Sequence, residues 1–466
     1  MTAALAVGAL VVAACGGHSS SKSGNTTSST SSSNGSSGSL NPDFGTQKNV
    51  CEGGNPSGST DRGVTPTTVR IATFSDPGFA GRQGLNQELF DTADVFAAWC
   101  NARGGIDGRH IVVDKRDAAL TNVKPRMQES CQQDFMMVGG GAVFDQDGVE
   151  MRLKCLLPDI AGYVVSPKAR ASDLLVQPVP NPVDVLAIGD AKYLAKKYPD
   201  STKAYGTLVG DIDATKVTGA QHEEALDALG WKKVYSGTYP AAGPSSWAQY
   251  AAAIKSAGVK GLVWEGEPEN LAHLLQELHN QGVKLDWIRT DANHYDQSLI
   301  QIAGPALADK NVYVYSSFEP FEGASPDSPT GQYLQAFKDY KPNGKNRTYL
   351  GLQAWSAWLL FAKAAKACGN DLTRGCVYKN AKAETSWDGG GLHAPQDLTG
   401  KNPQGCFVLE QATPSGFKLI KVNPNNGIFN CSPDNVYTLK KNYGSGVTLA
   451  DVGQSLSNLP GYNSTK

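Results

Sequence analysis

The sequence predicts an α/β protein whose parallel sheets are divided between two lobes. From Thr68 onward, short β-branched runs alternate with segments of helical periodicity, as parallel α/β architectures require. A second, similar series begins after Pro182, so the chain carries two successive α/β units of similar size. The length of 466 residues exceeds what one hydrophobic core usually supports, which also favours two domains.

The first series supplies the first lobe. Its candidate strands are residues 69–74, 110–114, 136–139 and 174–178. Between the first two strands, a predicted helix places Leu85, Leu89 and Phe96 near one face, and the glycines from Gly104 end it.

The second series contains the clearest helix. Leucines follow Pro268 at spacings of three, four and seven residues, and the proline stands at a first helical position. The candidate strands of this series are residues 204–210, 233–236, 260–264 and 311–316. A long helix is predicted at 349–367, and a hairpin is predicted from 406–409 and 417–422.

The first residues resemble an export signal followed by a lipid attachment site. The apolar run of residues 3–14 is typical of a signal peptide and too short to span a bilayer. Val12-Ala-Ala-Cys15 resembles the bacterial lipobox, which implies that Cys15 carries the lipid that anchors the chain to a membrane on its extracytoplasmic side. The Ser/Gly-rich residues 15–48 predict a flexible tether.

Eight further cysteines follow Cys15, and an even number in an exported chain favours disulfides. We predict pairs between Cys368 and Cys376 and between Cys406 and Cys431. The other four cannot be paired from the sequence, although a Cys100–Cys131 bond would join the first two helices. No CxxC motif or His/Cys cluster is present, so we expect no metal or other cofactor.

Charge and motifs exclude two classes of function. The formal charge is −2 and no basic block occurs, so the electrostatic pattern that nucleic-acid binding requires is missing. The sequence contains no nucleophile elbow, phosphate-binding loop, zinc-protease motif or dinucleotide fingerprint. We therefore predict that the protein is not an enzyme.

One segment carries a family resemblance. Asn101-Ala-Arg-Gly-Gly-Ile-Asp-Gly-Arg109 lies between the first helix and a strand. It resembles the Asn-Ala-x-Gly-Gly-Ile-x-Gly-Arg segment of the branched-chain amino acid binding protein family, and weaker similarity runs to about residue 425. The resemblance implies a periplasmic-binding-protein type I fold and an ABC importer component that works as a monomer. Such a component binds a small molecule and delivers it to a membrane permease.

The resemblance also implies a division of the chain. The three hinge crossings are expected near residues 179–184, 308–316 and 395–405. We expect a signal peptide at 1–14, lobe 1 at 49–181 and 314–400, lobe 2 at 182–313 and 401–442, and a weakly structured tail at 443–466.

Ligands in such folds bind outside the carboxyl ends of parallel strands. The loops predicted to line the cleft are residues 75–82, 139–145, 161–166, 210–215, 265–267 and 291–295. In relatives that bind amino acids, first-lobe hydroxyls and amides hold the carboxylate and a second-lobe carboxylate holds the ammonium. Gly141 and Ala142 lie in a loop that lacks those hydroxyls; its amides either bind an anion or only form a tight turn.

Several other side chains are candidates for the cleft, each with an alternative role. Glu265 or Glu267 aligns with the family's ammonium-binding carboxylate, or either residue caps the helix at Pro268. Arg82 pairs with a ligand carboxylate or is a solvated surface residue. Asp211 and Asp213 contact the ligand or cap a helix. The aromatic candidates, which either stack on a ligand or pack in the core, are Phe144, Tyr163, Tyr295 and Phe318.

A second class of function stays open at this stage. A sensory or cell-envelope interaction protein with the same fold and no role in transport has the same sequence features.

Overall fold

The computed structural model describes residues 40–400 and 405–464. The predicted signal peptide, Cys15 and most of the predicted tether lie outside the described residues. Among the described residues, no helix has both the length and the apolar character needed to cross a lipid bilayer.

A five-stranded parallel sheet forms the centre of the first lobe, in the order β2-β1-β3-β4-β5. Its strands are β1 (Thr68–Ser75), β2 (His110–Asp117), β3 (Met136–Val138), β4 (Asp159–Ile160) and β5 (Leu175–Val176). The helices between them are α1 (Gln87–Asn101), α2 (Val123–Gln133), α3 (Val149–Lys154) and α4 (Pro167–Arg170).

Helices from the C-terminal half of the chain complete the first lobe. They are α10 (Pro329–Tyr340), α11 (Tyr349–Lys366) and α12 (Arg374–Lys382). The α11 helix is buried along most of its length and packs on α1, where Trp358 stacks on Phe96 with ring centroids 5.5 Å apart. The continuous apolar sequence of α11 is explained by this burial on several sides.

An eight-stranded sheet forms the second lobe, in the order β13-β12-β11-β10-β9-β7-β8, with β14 paired to β12. The strands from β8 to β11 are parallel, and β11, β12 and β13 are antiparallel. The strands are β7 (Tyr205–Gly210), β8 (Lys233–Tyr239), β9 (Gly261–Glu265), β10 (Trp287–Thr290), β11 (Val312–Ser316), β12 (Cys406–Thr413), β13 (Gly416–Ile420) and β14 (Asn430–Cys431). The helices are α5 (Gly189–Lys197), α6 (Asp213–Ala228), α7 (Ala248–Ser256), α8 (Pro268–Asn280) and α9 (Gln297–Ala303).

Among the described residues, the chain passes between the lobes at three places that join the two sheets, and a fourth time after β14 on its way to the C-terminal residues. The first runs from the end of β5 to β6 (Val185–Ala187), which pairs with β15 (Val436–Thr438) in a small antiparallel sheet. The second follows β11, and the third precedes β12 and includes residues outside the described part of the chain. Because β11 lies entirely in the second sheet, the second connection begins after Ser316 and not within residues 308–316.

The folded part of the chain begins before the predicted boundary at residue 49. Phe44 is 1% exposed, and its ring packs against Trp99 and Trp355. Residues 40–48 therefore belong to the first lobe, because an aromatic side chain in an otherwise polar segment is buried in its core.

The C-terminal segment from residue 443 has little regular structure, consisting of two short 3₁₀ helices. It is nevertheless attached to the first lobe. Val447, Leu449 and Leu459 are buried in a small apolar cluster with residues of α3 and α4, and the Leu449 amide donates to Asp173 at 2.7 Å.

The structure contains the two predicted disulfides, Cys368–Cys376 and Cys406–Cys431. The suggested Cys100–Cys131 pair was wrong. Cys100 bonds to Cys51, and Cys131 bonds to Cys155. The sequence could not give this pairing because Cys51 precedes the first strand, where no helix or strand pattern indicates what the segment packs against.

Candidate functional site

A cleft of about 450 Å³ lies between the lobes. Loops that follow the carboxyl ends of β3, β4, β7, β9 and β10 line it, together with the first connection between the lobes. This is the position expected for a ligand site in parallel sheets. Most of the loops that the sequence predicted contribute residues to it, whereas residues 75–82 contribute none.

A buried acidic group forms the second-lobe wall. Glu265 ends β9 and is 3% exposed, and its Oε1 atom has no hydrogen-bond partner among the described residues. Burial holds the pKa of Glu265 well above its usual range, and the neighbouring Asp291 raises it further. Asp291 behaves oppositely: burial opposes its ionisation, but the hydrogen bond from Glu265 and the nearby His222 and Arg289 lower its pKa. The pKa values of the two carboxyl groups are thus shifted in opposite directions, and Glu265 holds a proton more readily than Asp291 does.

His222, on α6, lies beside this pair. Its Nδ1 atom is 3.6 Å from Glu265 Oε1, and its Nε2 atom is 3.7 Å from Asp291 Oδ1. Burial and the adjacent Arg289 lower the pKa of His222 to about 4, so the imidazole is neutral at neutral pH. Arg289 donates to Nδ1, which places the ring proton on Nε2, facing Asp291.

Below His222, Arg289 and Asp190 form a buried ion pair. Arg289 donates from Nε to Asp190 Oδ2 at 2.5 Å and from Nη2 to Oδ1 at 3.1 Å. Both side chains are almost fully buried. A two-point contact of this kind fixes the guanidinium in place and neutralises its charge.

His222, Glu265 and Asp291 are also the described residues that could hold a metal ion, because one ligand atom of each lies within 4.8 Å of the others. The geometry opposes this use. Arg289 donates a hydrogen bond to His222 Nδ1. A positively charged guanidinium in direct contact with one of the three residues repels a metal cation bound by them. We therefore interpret the three residues as a polar wall and not as a metal centre.

Arg82 does not line the cleft; it bridges the lobes beside it. This residue follows β1 in the first lobe, and it donates to Glu269 of α8 at 2.5 Å and also contacts Glu267. Both acceptors belong to the second lobe.

The glycine loop after β3 contributes less to the cleft than its sequence indicated. Its residue in the cleft is Val143. Gly141 packs so closely on Tyr163 that an added Cβ would lie 2.3 Å from the Tyr163 carbonyl oxygen. Ala142 and Phe144 pack in a small apolar cluster of the first lobe.

Of the predicted polar and aromatic candidates, some line the cleft and others lie at the surface or in the core. Tyr163 and Glu265 line the cleft. Asp211 is exposed and paired with Lys216, and Asp213 begins α6; neither reaches the cleft. Tyr295 and Phe318 are buried in the core, where Tyr295 packs on Phe417 and Phe318 packs on Tyr349.

Sequence reasoning missed four charged or polar groups around the cleft, namely Asp190, His222, Arg289 and Arg170. Each lies inside a helix or strand, or ends a short one, and none belongs to a recognisable motif. One signal in the sequence could have indicated these groups. Arg289 is the one charged residue of β10, and it follows two apolar residues. A buried arginine in a sheet requires a partner, so this position indicated a second buried charge.

Comparisons with known proteins agree with this arrangement. The sequence model described as periplasmic binding protein matches residues 189–416. Over 308 residues, the chain is 25% identical to Leu/Ile/Val-binding protein homolog 2 of Brucella abortus, an alignment that covers 62% of this chain and 75% of the relative.

Two solved structures illustrate the similarity in fold. A fatty acid ABC transporter substrate-binding protein from Thermomonospora curvata superposes with a TM-score of 0.66 at 15% identity, covering 84% of this chain and 99% of the other. A leucine binding protein from Thermotoga maritima superposes with a TM-score of 0.60 at 10% identity, covering 76% and 98%.

Proposed function

We infer the function of this chain from its family, because it belongs to the leucine-binding-protein-like family of type I periplasmic binding proteins. It captures a small polar ligand between its lobes and delivers this ligand to an ABC permease. The ligand is an amino acid or a related compound. The protein acts on the extracytoplasmic side of a membrane, to which Cys15 attaches it through a lipid, and it works as a monomer.

The observation that carries this proposal is the composition of the cleft. Both lobes and the first connection between them line it, so a ligand bound there contacts both moving parts. Such a ligand stabilises the closed arrangement in proportion to the contacts it makes only in that arrangement. The unpartnered oxygen of Glu265 supplies a polar contact point from the second lobe.

The described polar groups of the cleft contact each other. Arg289 donates to Nδ1 of the neutral His222, and Glu265 and Asp291 lie beside each other with pKa values shifted in opposite directions. These groups are suited to recognising a polar ligand and releasing it unchanged.

A thermal-shift screen tests ligand capture. The purified protein is heated with amino acids, aromatic acids, amides and sugars, and a ligand at 100 times its Kd should stabilise the fold by about 2.7 kcal/mol. Small-angle scattering should show a more compact particle with the same compound. If no compound on a broad panel shifts the melting temperature, capture of small molecules by this cleft is refuted.

Variants connect the result to the cleft. Glu265→Ala should weaken binding about tenfold or more, because the second-lobe contact is removed. Asp211→Ala is the matched control, since this acidic residue is exposed and lies outside the cleft. Equal affinity in both variants would remove Glu265 from the binding site.

Cys15→Ser tests the lipid anchor. The variant should appear in the medium or in the soluble envelope fraction, while the unaltered protein fractionates with membranes. Membrane association that survives the substitution would contradict an anchor at this cysteine.

A further inference from the structure

We infer that Arg170 binds a carboxylate group of the ligand at the hinge side of the cleft, so the cargo is a small organic acid or amino acid and not a neutral compound or a simple amine. This inference rests on the function proposed above and defines its ligand class.

Four backbone amides of the first-lobe loops are not available for this task. Asp76 accepts hydrogen bonds from the Leu120 amide at 2.7 Å and from the Val143 amide at 2.8 Å. Asp145 accepts from the amides of Val165 and Ser166, at 2.7 and 3.1 Å. Two carboxylates of the protein thus occupy amides that would otherwise bind an anion at this edge of the sheet.

Two other guanidinium groups near the cleft are already neutralised. Arg82 pairs with Glu267 and Glu269. Arg289 pairs with Asp190 through two hydrogen bonds. Because each of these charges is compensated by carboxylates of the protein, neither needs a negative charge from a ligand.

Arg170 is different. It lines the cleft and is 7% exposed. Its guanidinium donates to the carbonyl oxygens of Asn181 and Pro182, at 2.8 and 2.6 Å, and to the Gln221 side-chain oxygen at 3.5 Å. All three acceptors are uncharged, and among the described residues no ion pair is formed by Arg170.

The carboxylates of Asp145, Asp291 and Asp184 act on this charge from farther away, without forming an ion pair, and do not offset its burial. A buried charge whose direct contacts are all neutral oxygens is costly, and an anion in the adjacent cleft lowers that cost. Burial lowers the pKa of Arg170 to about 10, which still leaves the side chain fully charged at neutral pH. Its two contacts to Asn181 and Pro182 fix the guanidinium against the first connection between the lobes. The planar group is therefore preorganised for a carboxylate.

The remaining walls define the rest of the ligand. Apolar side chains that line the same cleft include Val164, Val165, Val179 and Leu186, which suit a compact apolar body. Glu265 and Asp291 lie on the second-lobe wall of the same cleft and suit a hydrogen-bond donor such as an ammonium group. An acid with or without an amino group satisfies these walls, and Arg170 selects the carboxylate.

Matched probes test this inference in the unaltered protein. We would measure affinities for 4-methylpentanoate, leucine, 4-methylpentanamide, 3-methylbutylamine and 3-methylbutyl phosphate, and for the same series built on a phenylpropyl body. The carboxylates should bind at least tenfold more tightly than the amide, the amine or the phosphate of the same body. Equal or tighter binding of any of these three overturns the inference, although it leaves capture of a small ligand in place.

Arg170→Gln then locates the preference. The variant keeps donors for the Asn181 and Pro182 carbonyls but loses the charge, so the ratio between carboxylate and amide affinities should fall to about one. Arg126→Gln, which alters a surface arginine paired with Glu129, is the control and should keep the full ratio. A preference that persists in a folded Arg170→Gln protein overturns the assignment.

The comparison of probes in the unaltered protein stands even if Arg170→Gln fails to fold. If neither these probes nor the broad screen shifts the melting temperature, the proposed function itself fails and this inference fails with it.

Discussion

Arg82 of the first lobe and Glu269 of the second lobe are joined by a hydrogen-bonded ion pair of 2.5 Å. The same guanidinium also contacts Glu267. Both acidic residues belong to the start of α8 and the turn before it, so a single arginine connects the two lobes. The described arrangement therefore has an ion pair between the lobes, beside the cleft.

We predict that Arg82→Ala shifts the protein toward an open form. The loss of a partly exposed two-acceptor ion pair should cost about 1 kcal/mol of closure, which corresponds to a fivefold weaker ligand affinity and a larger radius of gyration. Arg126→Ala is the control because its ion pair with Glu129 lies within one helix. Unchanged scattering and affinity in Arg82→Ala would show that this contact does not influence closure.

We predict that Asp190→Asn is strongly destabilising. Arg289 would keep its charge in a buried position without its partner, and the free energy of unfolding should fall by about 3–5 kcal/mol. Urea denaturation followed by circular dichroism measures this change. Asp200→Asn removes an exposed partner of Lys203 and should change the stability by less than about 0.5 kcal/mol. A small effect at Asp190 would mean that water or another acid compensates Arg289.

We predict that the protein becomes less stable as the pH rises from about 5 to 8. Glu410 is fully buried on β12, and burial raises its pKa to about 8 from the usual 4.5. In this range the unfolded chain has lost the proton while the folded chain still holds it, so ionisation favours unfolding. The loss should approach about 4 kcal/mol for this group.

Glu410→Gln should remove the part of that pH dependence which this group supplies, because the amide resembles the protonated acid and does not ionise. Asp134, whose pKa burial raises to about 7, should keep its own part. Melting temperatures between pH 5 and 8 provide the measurement. Glu150→Gln, at an exposed glutamate paired with Lys168, should retain the original slope. A Glu410→Gln protein with the same pH dependence as the unaltered protein would assign the effect to other groups.

We predict that Phe44→Ala lowers the free energy of unfolding by about 3–5 kcal/mol, as expected for removal of a fully buried aromatic ring. Leu40→Ala, in the same segment but 49% exposed, should have little effect. Chemical denaturation of both variants compares them directly. Similar stability in the two variants would show that residues 40–48 are not part of the cooperative fold.

The sequence was sufficient for elements with a strong local pattern. The leucines from Leu271 to Leu278 repeat along one helical face, and the structure buries all four of them in α8. The hairpin from Cys406 was predicted by two apolar strands around a short turn, and β12 and β13 form it. The predicted fold class is confirmed by the family match and by the solved structures that superpose on the chain.

The cleft was less predictable because its geometry depends on residues far apart in the chain. Because ligands bind outside the carboxyl ends of parallel strands, the sequence indicated Tyr163 and Glu265, and both line the cleft. The position of a strand end does not show whether a loop side chain faces the cleft or packs in the core, and Tyr295 and Phe318 pack in the core. Arg170 was not predicted as a site residue because its neighbours in the sequence, Pro167 to Ala169, indicate only a helix start.

Each of the four disulfides lies within one lobe. Cys51–Cys100, Cys131–Cys155 and Cys368–Cys376 each close a loop inside the first lobe, and Cys406–Cys431 closes one inside the second. Because each cross-link joins two residues of one lobe, none of the four links the lobes to each other. A reducing environment would thus loosen the first lobe, whose sheet includes two-residue strands, without removing a covalent link between the lobes.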